Sequence, residues 1–133
     1  VEHRQAVLAG GLHPRGAGQE SVDDVEAHEH ALTRMMLDGI SSIDGITVLG
    51  PASNVDRIGV VAFAVDGVHP HDVGQFMDSV DVAVRVGHHC AIPLHTFFQV
   101  RSSARASVAP TTAPEEIERL VDGLSKVRAF FGR

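Results

Sequence analysis

Two apolar, β-branched runs constrain this chain most: "ITVLG" from Ile46 and "RIGVVAFAV" from Arg57, joined by the turn-like "PASNVD". Each run has the length and side-chain type of a strand, and the short polar junction between them reads as a turn. Whatever surrounds them must cover an apolar sheet. A helical pattern precedes them: Ser21 offers a capping hydroxyl, Asp23 and Asp24 sit at the positive end of the helix dipole, and Val25, Ala31, Leu32, Met35, Met36, Ile40 and Ile43 recur at helical spacing. That helix is expected to stop near Asp44-Gly45, where glycine can take positive φ.

After the strands, "HPHDVGQFMDSV" puts Pro70 in a first helical turn with Val73, Phe76, Met77 and Val80 on one face. "DVAVRV" reads as a third strand ending at Gly87, then comes a loop holding Cys90 and Pro93, and "ARASV" reads as a short fourth strand. Thr112 to Glu115 reads as a capping box with Pro114 in the first turn, and Ile117, Leu120, Val121, Leu124, Val127 and Phe131 build an amphipathic last helix closed by Gly132. Adjacent strands mixed with helices predict an α+β fold: a small, largely antiparallel sheet of three to four strands with helices packed on one face. Residues 1–20, with Gly10, Gly11, Gly16, Gly18 and Pro14, read as a loose or partly helical segment, and 21–133 as a single domain.

At 133 residues the chain suits one modest core, and no apolar run approaches the roughly 18–20 residues of a membrane span. The start "VEHRQAVLAGG" lacks the basic and apolar regions of a signal peptide, and it opens on Val rather than Met, as a processed chain or a fragment would. A net charge of -6 argues against nucleic acid or an anionic membrane as partner, and the six aromatic residues are all Phe. One cysteine excludes an internal disulfide and a Cys-rich zinc site; a reducing, cytosolic setting follows as the plain expectation.

That cysteine lies in "AVRVGHHCAIP", behind Arg85, Gly87, His88 and His89. Three readings fit. A reactive thiol works as its thiolate, and Arg85 or a protonated His88 or His89 would favour the anion. A metal site would draw on His69, His71, His88, His89 and Cys90, of which at most three could converge because neighbouring side chains diverge. The third is a small apolar Cys packed at a strand end. His69 and His71 also fit capping and packing around Pro70, while His28 and His30 lie on a charged stretch expected to be solvated, and His3 and His13 lie in the loose start.

Taken together, "AVRVGHHCAIP", the upstream "GVHPHDVGQFMDSVDV", the downstream "RAS" and "APEEIERLVDGLSKVRAFFG" resemble the C-terminal part of SUF-type (group II) cysteine desulfurases and selenocysteine lyases. These are fold-type I, pyridoxal-phosphate (PLP)-dependent relatives of the class V aminotransferases. "AHEHALTRMMLDGISSIDGITVLGP" is similar to the segment that opens their small domain, so the likeness runs over about residues 22–132. The resemblance implies that Cys90 attacks the substrate sulfur and holds it as a persulfide, and that Arg105 pairs with the substrate α-carboxylate. Arg85, His88 and His89 match positions framing the cysteine loop and are assigned support and polarity.

The same resemblance implies a large domain, absent from this sequence, that supplies the PLP lysine, the acid facing the pyridine nitrogen and the phosphate cradle. Lys126, the single lysine, falls on the terminal helix and is not the PLP lysine. No cofactor or metal is therefore assigned to this chain alone. "VAPTTAPEE" also replaces the family's Tyr-Asn-Thr turn after "RAS", a segment that helps dock the small domain. The functional expectation is a partial cysteine desulfurase, inactive alone, that works with a large PLP-binding domain or subunit and passes sulfur to an acceptor protein, as in iron–sulfur cluster assembly. The alternatives are a non-enzymatic persulfide carrier, an inactive remnant, or, furthest from the pattern, a His/Cys zinc-binding domain. An apolar face left where a large domain would pack favours self-association.

Overall fold

The computed structural model describes residues 21–132 of the chain, so the expectation for residues 1–20 lies outside the described residues. Its elements follow the order α1 (Val22–Ser41), β1 (Ile46–Leu49), β2 (Val60–Val65), α2 (Pro70–Ser79), β3 (Arg85–Gly87), α3 (Ile92–Phe97), β4 (Ser103–Ser107) and α4 (Pro114–Phe130). The four strands form one antiparallel sheet in the order β1-β2-β4-β3. This is the α+β architecture that the apolar pattern predicts.

Alternation along β2 separates the two faces. Val61, Phe63 and Val65 are buried while Val60, Ala62 and Ala64 are half-buried, the period of two that a one-sided sheet requires. Ala104 and Ala106 of β4 continue the buried face. Leu32, Met36 and Ile40 of α1, Val73 and Met77 of α2, and Ile117, Leu120, Leu124 and Val127 of α4 close over it. Burying side chains of this size contributes about 1.5–3 kcal/mol each, so this helix-covered face is where the stability lies. Gly39 lets α1 approach α4 closely: a Cβ there would stand 2.5 Å from Val121 Cγ2.

Several boundaries differ from the sequence expectation for physical reasons. At the start of α1, Ser21 accepts from the Asp24 amide and the Asp24 carboxylate accepts from Ser21, as its capping pattern predicts. Its end comes earlier than Asp44-Gly45, at Ser41, where Ser42 caps the helix and donates its hydroxyl to the Gly39 carbonyl; Gly45, at φ 77, makes the turn into β1 instead. Only Arg85 and Val86 of "DVAVRV" join Gly87 in β3, because Val82 is tied back to α2: its amide donates to the Met77 carbonyl at 2.9 Å and its side chain is buried.

The cap of α4 is displaced by one residue. Ala113 is the N-cap and donates its amide to the Glu116 carboxylate, while Thr112 accepts from the Ala109 amide one turn earlier. The segment after Cys90, expected as loop, contains the short helix α3 with Pro93 in its first turn. His28 also departs from its expected solvation: its Nε2–H donates to the Thr112 carbonyl at 2.9 Å, joining α1 to the turn before α4.

Candidate functional site

The sheet face opposite the three long helices carries the sequence-predicted site. Cross-strand register sets Leu49, Ala62, Arg105 and Arg85 in one row, so these side chains rise from the same face. Ser103, two residues before Arg105 on β4, points the same way. Over this face fold the Cys90 turn and α3. Between them lies a cavity of about 170 Å³ with Leu49, Ala62, Leu94 and Phe98 as apolar walls; Arg105, His89, His95 and Ser103 supply its polar groups. Arg85 and Arg105 are directly opposed cations on neighbouring strands, an arrangement that is unfavourable without an anion between them.

Gly87, at φ 126, takes the chain out of β3 in a conformation only glycine accepts readily. A turn follows, closed by the Ala91 amide donating to the His88 carbonyl at 2.8 Å. Its two central residues, His89 at φ 52 and Cys90 at φ 60, are both left-handed. That conformation usually selects Asn-Gly, and non-glycine residues pay roughly 1–2 kcal/mol each to adopt it. Cys90 is exposed at the turn's tip. Its neighbours His89 and Ala91 line the cavity, so the turn that carries Cys90 borders it. The reading of Cys90 as a packed, buried residue is thereby overturned.

Hydrogen bonds fix the imidazoles around it. A carbonyl can only accept, so His89 donates from Nε2 to the Ser103 carbonyl at 3.1 Å, and its Nδ1 is buried without a partner. Burial is the main influence holding His89 below the ordinary histidine pKa; Arg105, Arg85 and His95 add repulsion, and the Ser103 carbonyl offsets part of it. His89 is thus a neutral imidazole at neutral pH, which corrects the expectation that it could favour the thiolate as a cation. His88 is exposed and meets His95 edge-on, with ring centroids 5.9 Å apart.

Two members of the site escaped the sequence reading. His95, buried on α3, donates from Nδ1 to the Ala91 carbonyl and accepts from the Ser103 hydroxyl at Nε2, each at 2.9 Å. Ser103 is fully buried. Strand alternation places Ser103 on Arg105's face, but the eight-residue separation of His95 and Ser103 spans a helix and a turn that sequence periodicity does not resolve.

The metal alternative finds no assembled ligand set. Among the described residues no three His, Cys, Asp or Glu side chains converge where a metal ion could sit. His69 and His71 instead stack on each other at the start of α2, where His69 Nδ1 accepts the His71 amide as the N-cap. Covalent attachment of PLP requires a lysine amine, and Lys126 lies on the exposed side of α4, paired at 2.6 Å with Asp122. The residues at the cavity therefore do not fit that cofactor's attachment. Among the described residues, no helix is long and apolar enough to cross a membrane.

Comparison with known proteins gives this geometry its context. The chain is 50% identical over 109 residues to a probable cysteine desulfurase 2 of Mycobacterium leprae, covering 82% of this chain and 26% of that protein. It is 43% identical over 111 residues to a probable cysteine desulfurase of Halalkalibacterium halodurans, covering 84% and 27%. The apo structure of a cysteine desulfurase from Thermococcus onnurineus NA1 superposes with a TM-score of 0.73 at 32% identity, over 77% of this chain and 25% of that one. The chain thus spans about a quarter of the length of the curated relatives it matches. Residues 18–120 match the aminotransferase class-V family, and this chain belongs to it.

Proposed function

We propose that this chain is the cysteine-bearing part of a cysteine desulfurase, in which Cys90 accepts sulfur from a substrate held by Arg105. The observation that carries this reading is the placement of Cys90 on a strained, exposed turn whose neighbouring residues His89 and Ala91 line the cavity that holds Arg105. A guanidinium binds a carboxylate through two parallel hydrogen bonds, and an anion at Arg105 would also relieve its opposition to Arg85. The thiolate of Cys90 attacks the substrate sulfur, forming an S–S bond as the C–S bond breaks. The carbon keeps that electron pair and is then protonated, leaving alanine and a Cys90 persulfide.

Stabilising the carbon that keeps the electron pair is the work of the large domain and its PLP, so the chain alone is inactive on free cysteine. Ile92, Leu94 and Phe97 stand exposed beside the turn, and this apolar edge supports a covering partner. An exposed free thiol suits a reducing, cytosolic compartment.

A second reading has the chain receive sulfur already mobilised elsewhere, as a persulfide carrier. The exposure of Cys90 as a free thiol on this chain suits direct sulfur exchange with a donor. One experiment separates the two. The 133-residue chain, with and without a separately expressed large domain from a relative, is supplied with PLP and cysteine, and alanine is measured. Alanine formed only with the added domain, and lost in Cys90→Ser, supports the first reading. No alanine in the mixture, alongside persulfide uptake from a donor, supports the carrier.

A further inference from the structure

We propose that His95, acting through Ser103, is the positioning residue that holds Cys90 at the tip of its turn. This rests on the reading of Cys90 as the sulfur acceptor and adds how its geometry is maintained. The turn is locally unfavourable: His89 and Cys90 are both left-handed, and neither is the glycine or asparagine such positions select. Something must offset that preference.

The hydrogen bonds form a bracket around Cys90. Its preceding neighbour, His89, donates to the Ser103 carbonyl, and the carbonyl of its following neighbour, Ala91, accepts from His95. The Ser103 hydroxyl donates to the other nitrogen of His95 and closes the bracket. Both flanks of the cysteine are thereby referred to one fully buried strand residue, which pairs with Gly87 in the sheet and shares a face with Arg105. The group assigned to the substrate carboxylate and the group assigned to its sulfur are thus fixed against the same length of β4. The polar pair also has a defined protonation pattern: His95 carries its proton on Nδ1 and His89 on Nε2.

Amide exchange and imidazole nitrogen NMR on the full 133-residue chain test the bracket. In Ser103→Ala and His95→Ala, the Ala91 amide should exchange about tenfold faster, as loss of one hydrogen bond predicts, while β2 core amides keep their protection. Ser103→Thr, which retains the hydroxyl, should restore the slow rate. In the unmodified chain His95 should give the Nδ1–H tautomer signature. Ala91 exchange that is unchanged, or that rises only in step with β2, overturns the proposal, as does a Thr variant indistinguishable from Ala. Should the alanine variants not fold, an Nε2–H tautomer of His95 in the unmodified chain overturns it without them. Failure of Cys90 to take up sulfur would sink the functional reading but leave these exchange rates and tautomers as they are.

Discussion

The two faces of the sheet are built from the same strands and obey different rules. On the helix-covered face, Val61, Phe63, Val65, Ala104 and Ala106 meet apolar residues of α1, α2 and α4. On the other face, Arg105, Ser103 and Ala62 look into a cavity closed by a turn with two left-handed residues and a six-residue helix. Packing decides the first face, and hydrogen-bond geometry decides the second. Strain of the kind seen at His89 and Cys90 persists only where surrounding structure holds it, and here the helix-covered face supplies the rigid floor.

The largest effects should come from the packed face. Phe63→Ala removes a fully buried ring and should cost about 3–5 kcal/mol in urea unfolding, whereas Cys90→Ser at the exposed turn should stay within about 0.5 kcal/mol. Similar costs for the two would erase the contrast between the faces. Gly39→Ala should rank next, at about 1–3 kcal/mol, since the added methyl collides with Val121 where α1 crosses α4. A neutral outcome would mean the helices can separate, and that their packing is looser than described.

A smaller, pH-dependent effect should come from the open face. His89 is held below its ordinary pKa mainly by burial, so as pH falls the unfolded chain binds the proton first. The stability this group contributes is complete above the unfolded value of about 6.5 and is lost as pH drops from there through the lower folded value. The sign is positive: stability rises with pH across that window. His89→Gln should flatten the slope of the urea midpoint against pH relative to the unmodified chain. An identical slope in both proteins would show that the imidazole is not desolvated.

How much of this was legible in the sequence follows the same division. Helical and two-residue periodicities mark α1, β1, β2, α2 and α4, because those elements bury one face and their patterns record it. Gly87 and the two histidines before Cys90 likewise mark the turn. The open face was harder to read. Helix α3 has six residues and no side-chain cap, so "AIPLHTFF" carries no period long enough to register. β3 shrinks because Val82 serves the end of α2, a tertiary preference that a run of valines conceals. His95 and Ser103 join only once α3 has folded over β4, and nothing local pairs them. Arg105 and the sulfur-accepting role of Cys90 come through family likeness, while the geometry that brings their surroundings together lies in the register of β4.

The proposed function rests on Cys90 as an exposed thiol that accepts sulfur. Its most direct test supplies the native chain with a persulfidated donor enzyme or a small polysulfide and follows the intact mass. A gain of one sulfur atom is expected, removed by a reducing thiol as exchange chemistry requires and absent in Cys90→Ser. A native chain that takes up no sulfur over hours, and whose cysteine reacts only after unfolding, would contradict it.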